Sequence, residues 1–146
     1  MFGPASPLLF WHGFLIAFAL TCAIEVPAYL GAFAALGWVR RDGGPLTRRS
    51  AIALVVAINL ITHPLLWSVA LRAPDIGALL LAELAVAGVE GALIFAVVRR
   101  RGKYPEGWGS RLAWCAMVAI GVNALSLLVG LLALPLLTSG PTLADG

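Results

Sequence analysis

The sequence predicts an all-α integral membrane protein that forms one bundle of four transmembrane helices. The chain is 61% hydrophobic and 12% charged, with a mean hydropathy of +0.97, whereas about a quarter of a soluble domain is charged. Four apolar runs each reach the ~20 residues that a helix needs to cross the hydrocarbon. The basic residues concentrate in two of the three connections. We therefore expect residues 1–146 to form a single membrane domain.

The four apolar runs predict spans over residues 9–39, 51–71, 76–98 and 112–137. The first run is longer than a bilayer requires, so we expect it to tilt, kink or begin at the interface. Pro27 is the expected kink site, because proline removes a helical hydrogen bond. Pro64 in the second span frees a backbone carbonyl one turn earlier, near Leu60.

Charge distribution predicts the orientation of the chain. Nine of the ten Lys and Arg residues lie in the first and third connections, and the second holds only Arg72; the nine are Arg40, Arg41, Arg48, Arg49, Arg99, Arg100, Arg101, Lys103 and Arg111. The positive-inside rule places these two loops in the cytoplasm and both termini on the outer side. The expected location of the protein is the plasma (inner) membrane. The sequence pI of about 9.4 follows from this distribution, so no nucleic-acid partner is expected.

Ionisable and amide side chains interrupt the apolar spans. A carboxylate at the centre of a bilayer costs at least ~2.5–3.5 kcal/mol on insertion scales, so such residues mark candidate sites. Several share a helix face, because side chains three, four or seven positions apart are neighbours on a helix. We predict one shared interior site formed by Glu25, Asn59, Thr62, His63, Glu83, Glu90, Asn123 and Ser126.

The chemistry of this predicted site leaves several functions open. Carboxylate, imidazole and amide oxygen atoms can bind a divalent metal, with Glu25, His63, Glu83 and Glu90 as candidate ligands. No metal motif such as HExxH occurs, so the metal is predicted from residue type alone. No other cofactor is predicted. A carboxyl group removed from water can also carry protons. The leading hypothesis is transport or conduction of a cation, a proton or a small polar substrate coupled to protons.

Two other functional classes remain as alternatives. An intramembrane enzyme could use the same Glu and His residues on a lipid or other membrane substrate, with a metal or by acid–base catalysis. A structural or assembly subunit of a larger membrane complex would use the polar groups as interhelical hydrogen bonds. The lipid bilayer is a partner in every case.

The two halves of the chain resemble each other weakly. Glu25 lies 15 residues before Arg40, and Glu83 lies 16 residues before Arg99. The following helices carry the tetrads Asn59-Leu60-Ile61-Thr62 and Asn123-Ala124-Leu125-Ser126. The halves run in the same direction, which is typical of a parallel repeat about an axis along the membrane normal. The alternative is that any two helical hairpins with basic inner loops look alike.

Glycines in the spans predict close helix packing. Gly88 and Gly91 are expected to let a neighbouring helix approach the third helix closely. Together with Gly31, Gly37, Gly121 and Gly130, they are also candidate contact surfaces for a homo-oligomer or a larger membrane complex.

Overall fold

The computed structural model describes residues 7–39, 44–101 and 108–138. Four helices make up this part of the chain: α1 (Pro7–Ala35), α2 (Arg48–Ala70), α3 (Ile76–Arg101) and α4 (Trp108–Thr138). All four are long and apolar enough to cross a membrane, which confirms the helical class and the number of membrane-length helices for this part of the chain. Each helix packs against its neighbours in sequence, and α1 also packs against α4, so the four helices close into a bundle.

The first helix ends earlier than the sequence predicted. Its last residue is Ala35 rather than residue 39, because Gly37 adopts a left-handed backbone with φ of 69°. The Trp38 N–H donates to the Phe33 carbonyl at 2.8 Å, and the Gly37 N–H donates to the Ala34 carbonyl at 3.0 Å. These two bonds form a Schellman motif, which satisfies the last carbonyls of the helix and stops it.

The starts of α2 and α3 are set by polar capping residues. Thr47 and Ser50 form a reciprocal capping box, so α2 begins at Arg48, three residues before the predicted start. The Asp75 carboxylate accepts the Ala78 N–H at 2.8 Å at the start of α3. Pro27 lies inside α1 and Pro64 lies inside α2, so neither proline ends its helix. Of the two basic loops, residues 40–43 and 102–107 lie outside the described residues.

The apolar core lies mostly at the end of the bundle that carries the basic loops. Buried positions recur every three, four or seven residues along each helix, which gives every helix one inward face. The buried apolar side chains toward this end are Phe33, Leu46, Ala51, Val55, Ile94, Val98 and Cys115. They close this end of the bundle with packed side chains.

Gly91 mediates a close contact between two helices. A methyl group built on Gly91 would lie 3.2 Å from the Ala116 Cα and 3.3 Å from the Cys115 carbonyl oxygen. Gly91 therefore lets α3 and α4 approach backbone to backbone, as predicted. The same expectation is wrong within this bundle for Gly88, because a methyl group there would meet nothing within 4 Å. A methyl group on Gly31, Gly121 or Gly130 would likewise lie in open space.

Candidate functional site

Glu90 receives a hydrogen-bond donor from each of the other three helices. Its Oε2 atom accepts the Tyr29 hydroxyl of α1 at 2.7 Å and the Asn123 amide of α4 at 2.6 Å. Its Oε1 atom lies 2.9 Å from the Thr62 hydroxyl of α2. The side chain is only 1% exposed, so this carboxyl group ties all four helices together at one point in the interior.

The Thr62 hydroxyl allows Glu90 to be charged or neutral without moving. It lies 2.9 Å from Glu90 Oε1 and 3.0 Å from the Ile58 carbonyl oxygen, but a hydroxyl carries only one proton. When Glu90 is ionised, Thr62 donates to the carboxylate. When Glu90 carries a proton on Oε1, it donates to Thr62, and Thr62 donates to Ile58. Both states satisfy every polar atom of the contact.

Glu25 on α1 has the opposite character. It is 2% exposed, yet its Oε2 atom accepts no hydrogen bond. Asn59 of α2 and Ser126 of α4 lie beside the carboxyl group. Glu25 also lies near enough to Glu90 for the two to repel each other when both are ionised. The two buried carboxyl groups are therefore coupled, and only one of them is fully provided with donors.

His63 on α2 presents a second buried polar atom without a partner. Its Nε2 forms no hydrogen bond, and the residue is 6% exposed. Three aromatic rings pack against the imidazole, with centroid distances of 5.4 Å to Phe14, 5.5 Å to Phe18 and 6.4 Å to Trp67. These contacts hold the orientation of the ring, so the position of Nε2 is determined by packing.

Glu25 and His63 line the same cavity, which has a volume of about 240 Å³. We call it the Glu25 cavity. Its polar lining residues are Thr21, Glu25, His63, Glu83 and Ser126. On every helix the cavity residues extend from Glu25 and His63 away from the basic loops. The cavity therefore occupies the half of the bundle opposite the packed apolar core.

Glu83 lies on the same helix as Glu90, nearer the end of the bundle that holds the Glu25 cavity. It lies two turns away along α3, or ~10 Å in axial distance, and its side chain is half-buried. Besides lining the Glu25 cavity, it lines a second cavity of about 150 Å³ between α3 and α4, together with Asn123. The eight predicted residues lie in two adjoining groups. Glu90, Thr62 and Asn123 form one group, and Glu25, Asn59, His63, Glu83 and Ser126 surround or adjoin the cavity.

The polar contacts of the two hairpins correspond to each other. The Asn59 amide donates to the Val55 carbonyl four residues earlier at 3.2 Å, and the Asn123 amide donates to the Ala119 carbonyl at 2.9 Å. Each asparagine lies beside the glutamate of its own hairpin, Glu25 or Glu90. The hydroxyl residue three positions later lies beside the glutamate of the other hairpin: Thr62 beside Glu90, and Ser126 beside Glu25.

Tyr29 is a site residue that the predicted set did not include, as is Thr21 of the cavity wall. Tyr29 is fully buried and donates to Glu90 from α1. Its position four residues after Glu25 places it on the same helix face, but helix spacing alone does not identify a partner on α3. Tyrosine is also common at membrane interfaces, so the residue type of Tyr29 alone does not indicate a role in the site.

The arrangement gives no specific support for a metal centre. Within residues 11–39, 44–101 and 111–132, no three His, Cys, Asp or Glu side chains are grouped so that they could hold a metal ion. Glu90 has its oxygens satisfied by protein donors, and Glu83 lies two turns away on the same helix. The hypothesis of a divalent metal on Glu25, His63, Glu83 and Glu90 thus rests on residue type only.

Comparison with known proteins adds no relative to this description. No model of a known protein family matches the chain, and neither a curated protein nor a solved structure is significantly similar to it.

Proposed function

We propose that this protein transports or conducts a cation, or a small substrate coupled to protons, across the plasma (inner) membrane. Glu25, His63, Glu83 and Glu90 are the ionisable groups of the proposed pathway. Asn59, Thr62, Asn123 and Ser126 are neutral groups that orient the carboxyl side chains. The proposal assigns binding to the Glu25 cavity and proton exchange to the glutamates of the pathway as a set.

The observation that carries the proposal is a set of carboxyl groups inside the bundle with no Lys or Arg beside them in the sequence of the spans. Three glutamates lie inside the bundle, but residues 1–39, 50–71, 73–98 and 112–146 contain no Lys or Arg. An uncompensated carboxylate in a low-dielectric interior is strongly unfavourable. These groups therefore need a proton or a bound cation for neutrality, and exchange between the two couples ion binding to proton movement.

Packing supports a pathway that is closed at one end. The apolar core seals the end with the basic loops, whereas the Glu25 cavity occupies the opposite half. With the basic loops in the cytoplasm, the cavity belongs to the outer half of the membrane. Glu25 lies ten residues before the end of α1, and Glu90 lies eleven residues before the end of α3. At ~1.5 Å per residue, each is about 15 Å along the helix axis from the end that carries the basic loops. Both glutamates are then near the bilayer midplane.

We further infer that the two hairpins are a parallel repeat, with Glu25 equivalent to Glu90 rather than to Glu83. Three features support this relation. Each asparagine donates to the carbonyl four residues earlier, and each hydroxyl residue lies beside the glutamate of the other hairpin. The equivalent buried residues are also separated by an almost constant number of positions. Glu25 and Glu90 are 65 residues apart, and Asn59 and Asn123 are 64 apart. Transport proteins often place their site between such repeats.

Flux measurements in proteoliposomes test the proposal. Glu25→Gln and Glu90→Gln keep the size of the side chain and remove its charge. We expect both variants to assemble and both to lose pH-gradient-driven cation or proton flux. Asp75→Asn is the matched control, because Asp75 is an exposed acid at the start of α3 and asparagine also caps helices. Unchanged flux and thermal stability in both glutamate variants would contradict the proposal.

An intramembrane enzyme is the second candidate, favoured by one specific observation. Glu25 Oε2 and His63 Nε2 are both buried without hydrogen-bond partners, and both residues line one cavity. An acid–base pair of this kind could transfer protons to and from a membrane substrate. Turnover of a lipid by protein that shows no flux, lost in His63→Ala, would favour this function over transport.

The third candidate is a structural subunit of a larger complex or a homo-oligomer. The exposed glycines Gly31, Gly88 and Gly121 are its support, since small residues are favoured at helix contacts in membranes. If all glutamate variants assemble normally and the native protein shows neither flux nor turnover, the structural role is the only one of the three candidates that remains.

A further inference from the structure

We propose that the Glu25 cavity binds a primary ammonium ion that carries a small apolar body. This ligand class rests on the proposed transport function and names the substrate of its site. Four properties of the cavity support the assignment: its charge, its free acceptors, its apolar walls and its size.

The charge of the cavity selects a cation. Glu25 and Glu83 both line it, and its lining residues include no Lys or Arg. Ser126 and Thr21 are the neutral polar groups of the wall. An anionic ligand would meet two carboxyl groups and no compensating positive charge, so it is excluded on electrostatic grounds.

The acceptors without partners select a cation that has N–H groups. Glu25 Oε2 forms no hydrogen bond. His63 Nε2 is a second acceptor in the tautomer that carries its proton on Nδ1. A primary ammonium group has three N–H donors, whereas a quaternary ammonium has none. Of these two, only the primary ammonium has donors to offer to both buried atoms, and hydrogen bonds to a charged group are the stronger kind.

The remaining wall selects an apolar body over a hydrated inorganic ion. Most of the other lining side chains are aliphatic: Ala17, Leu20, Ile24, Leu66, Leu127 and Leu131. Mg²⁺ retains several of its waters and Ca²⁺ takes about 6–8 oxygen ligands, which this wall does not offer. A cavity of about 150 Å³ lined by aliphatic and aromatic residues binds benzene. A volume of about 240 Å³ therefore accepts an alkyl or aryl amine of slightly larger size.

Calorimetric titration of the full chain in lipid nanodiscs tests the ligand class. Four probes are compared: benzylammonium, benzyltrimethylammonium, benzyl alcohol and Mg²⁺. We expect saturable binding of benzylammonium, with affinity for the alcohol and for the quaternary ion lower by about tenfold or more, because the alcohol lacks the positive charge and the quaternary ion lacks N–H donors. Equal affinity for either of them, or tighter binding of Mg²⁺, would overturn the proposal.

Two variants locate the binding. Glu25→Gln should weaken benzylammonium binding by about tenfold or more through loss of the counter-ion. Gly130→Val fills space at the cavity wall without changing any charge, since its added methyl groups enter an open region. Gly121→Val is its matched control on the same helix, also in open space but away from the cavity. We expect Gly130→Val to weaken binding and Gly121→Val to leave it unchanged.

These variants keep the test decisive if Glu25→Gln fails to fold, because the valine pair retains every ionisable group. Equal binding by Gly130→Val and Gly121→Val would overturn the assignment to this cavity. Flux without benzylammonium binding would overturn the ligand class and leave the proposed transport function intact. Binding without flux would support the ligand class and contradict transport.

Discussion

At the scale of single residues, Glu90 and Glu25 are the same side chain in two different hydrogen-bond environments. Glu90 lies among donors from three helices, and the Thr62 hydroxyl accommodates either of its protonation states. Glu25 has neighbours but an oxygen without a donor. An acceptor in that state is suited to a ligand that brings its own N–H or O–H group, whereas the oxygens of Glu90 are already bonded to donors of the protein.

The shared hydroxyl of Thr62 leads to a prediction about Glu90. Thr62→Val keeps the branched shape but removes the hydroxyl, and Thr62→Ser keeps the hydroxyl. We expect Thr62→Val to lower the free energy of unfolding by about 0.6 kcal/mol, up to ~1.7, the range for hydrogen bonds between membrane helices. We also expect slower proton-coupled flux.

Thermal unfolding and flux assays check both expectations, and infrared spectroscopy checks the proton directly. The carbonyl band of protonated Glu90 should shift in Thr62→Val and vanish in Glu90→Gln. If Thr62→Ser loses as much flux as Thr62→Val, the methyl group is what matters and the hydroxyl has no role in proton uptake.

At the scale of helices, the contact between α3 and α4 depends on Gly91. Its Cα hydrogens face the backbone at Cys115 and Ala116, and backbone cannot move aside as a flexible side chain can. Because Glu90 is adjacent to Gly91, the distance between α3 and α4 also sets the contact between Glu90 and Asn123. Helix packing and the polar site are therefore linked through two consecutive residues.

A pair of alanine substitutions tests this helix contact. Gly91→Ala should destabilise the protein by about 1–3 kcal/mol, as overpacking of a close contact does. Gly88→Ala adds the same methyl group one turn earlier, where nothing lies within 4 Å. It should be neutral or stabilising by up to ~1 kcal/mol, because alanine favours a helix more than glycine does. Denaturant unfolding in mixed micelles measures both; equal losses would show that Gly88 also lies at a contact, as in an oligomer.

At the scale of the whole molecule, the two ends of the bundle differ in packing. One end is filled by apolar side chains beneath the basic loops, and Leu46 closes it through a bond from its N–H to the Trp38 carbonyl at 3.0 Å. The other end encloses the Glu25 cavity. Most of the large exposed side chains on the helices are aliphatic, as expected for surfaces that contact lipid.

Orientation follows from charge and is tested by cysteine labelling. The native thiols, Cys22 and Cys115, are first replaced by alanine. Arg101→Cys then reports the end of α3 that carries the basic residues, and Pro74→Cys reports the α2–α3 connection; both positions are exposed. A membrane-impermeant maleimide should label residue 74 in intact cells and residue 101 only after permeabilisation. The reverse pattern would invert the proposed topology.

Hydrophobic length and helical periodicity account for what the amino-acid sequence determined by itself. Four apolar runs of sufficient length must become helices, since hydrocarbon leaves no other way to satisfy their backbone groups. The 3.6-residue period then places Asn59, Thr62 and His63 on one face of α2, and all three are buried there. The end of α1 was predicted less well, because the Schellman motif at Gly37 depends on local backbone bonds rather than on hydropathy.

Only the tertiary structure decided how the polar faces meet. Periodicity fixes which side chains share a face, but the rotation and separation of neighbouring helices depend on side-chain packing across four elements. That packing divides the eight predicted residues into the group around Glu90 and the group around the Glu25 cavity. It also brings Tyr29 to Glu90 from 61 positions away in the chain. The cavity itself arises because the apolar side chains fill one end of the bundle and leave the other end open around Glu25 and His63.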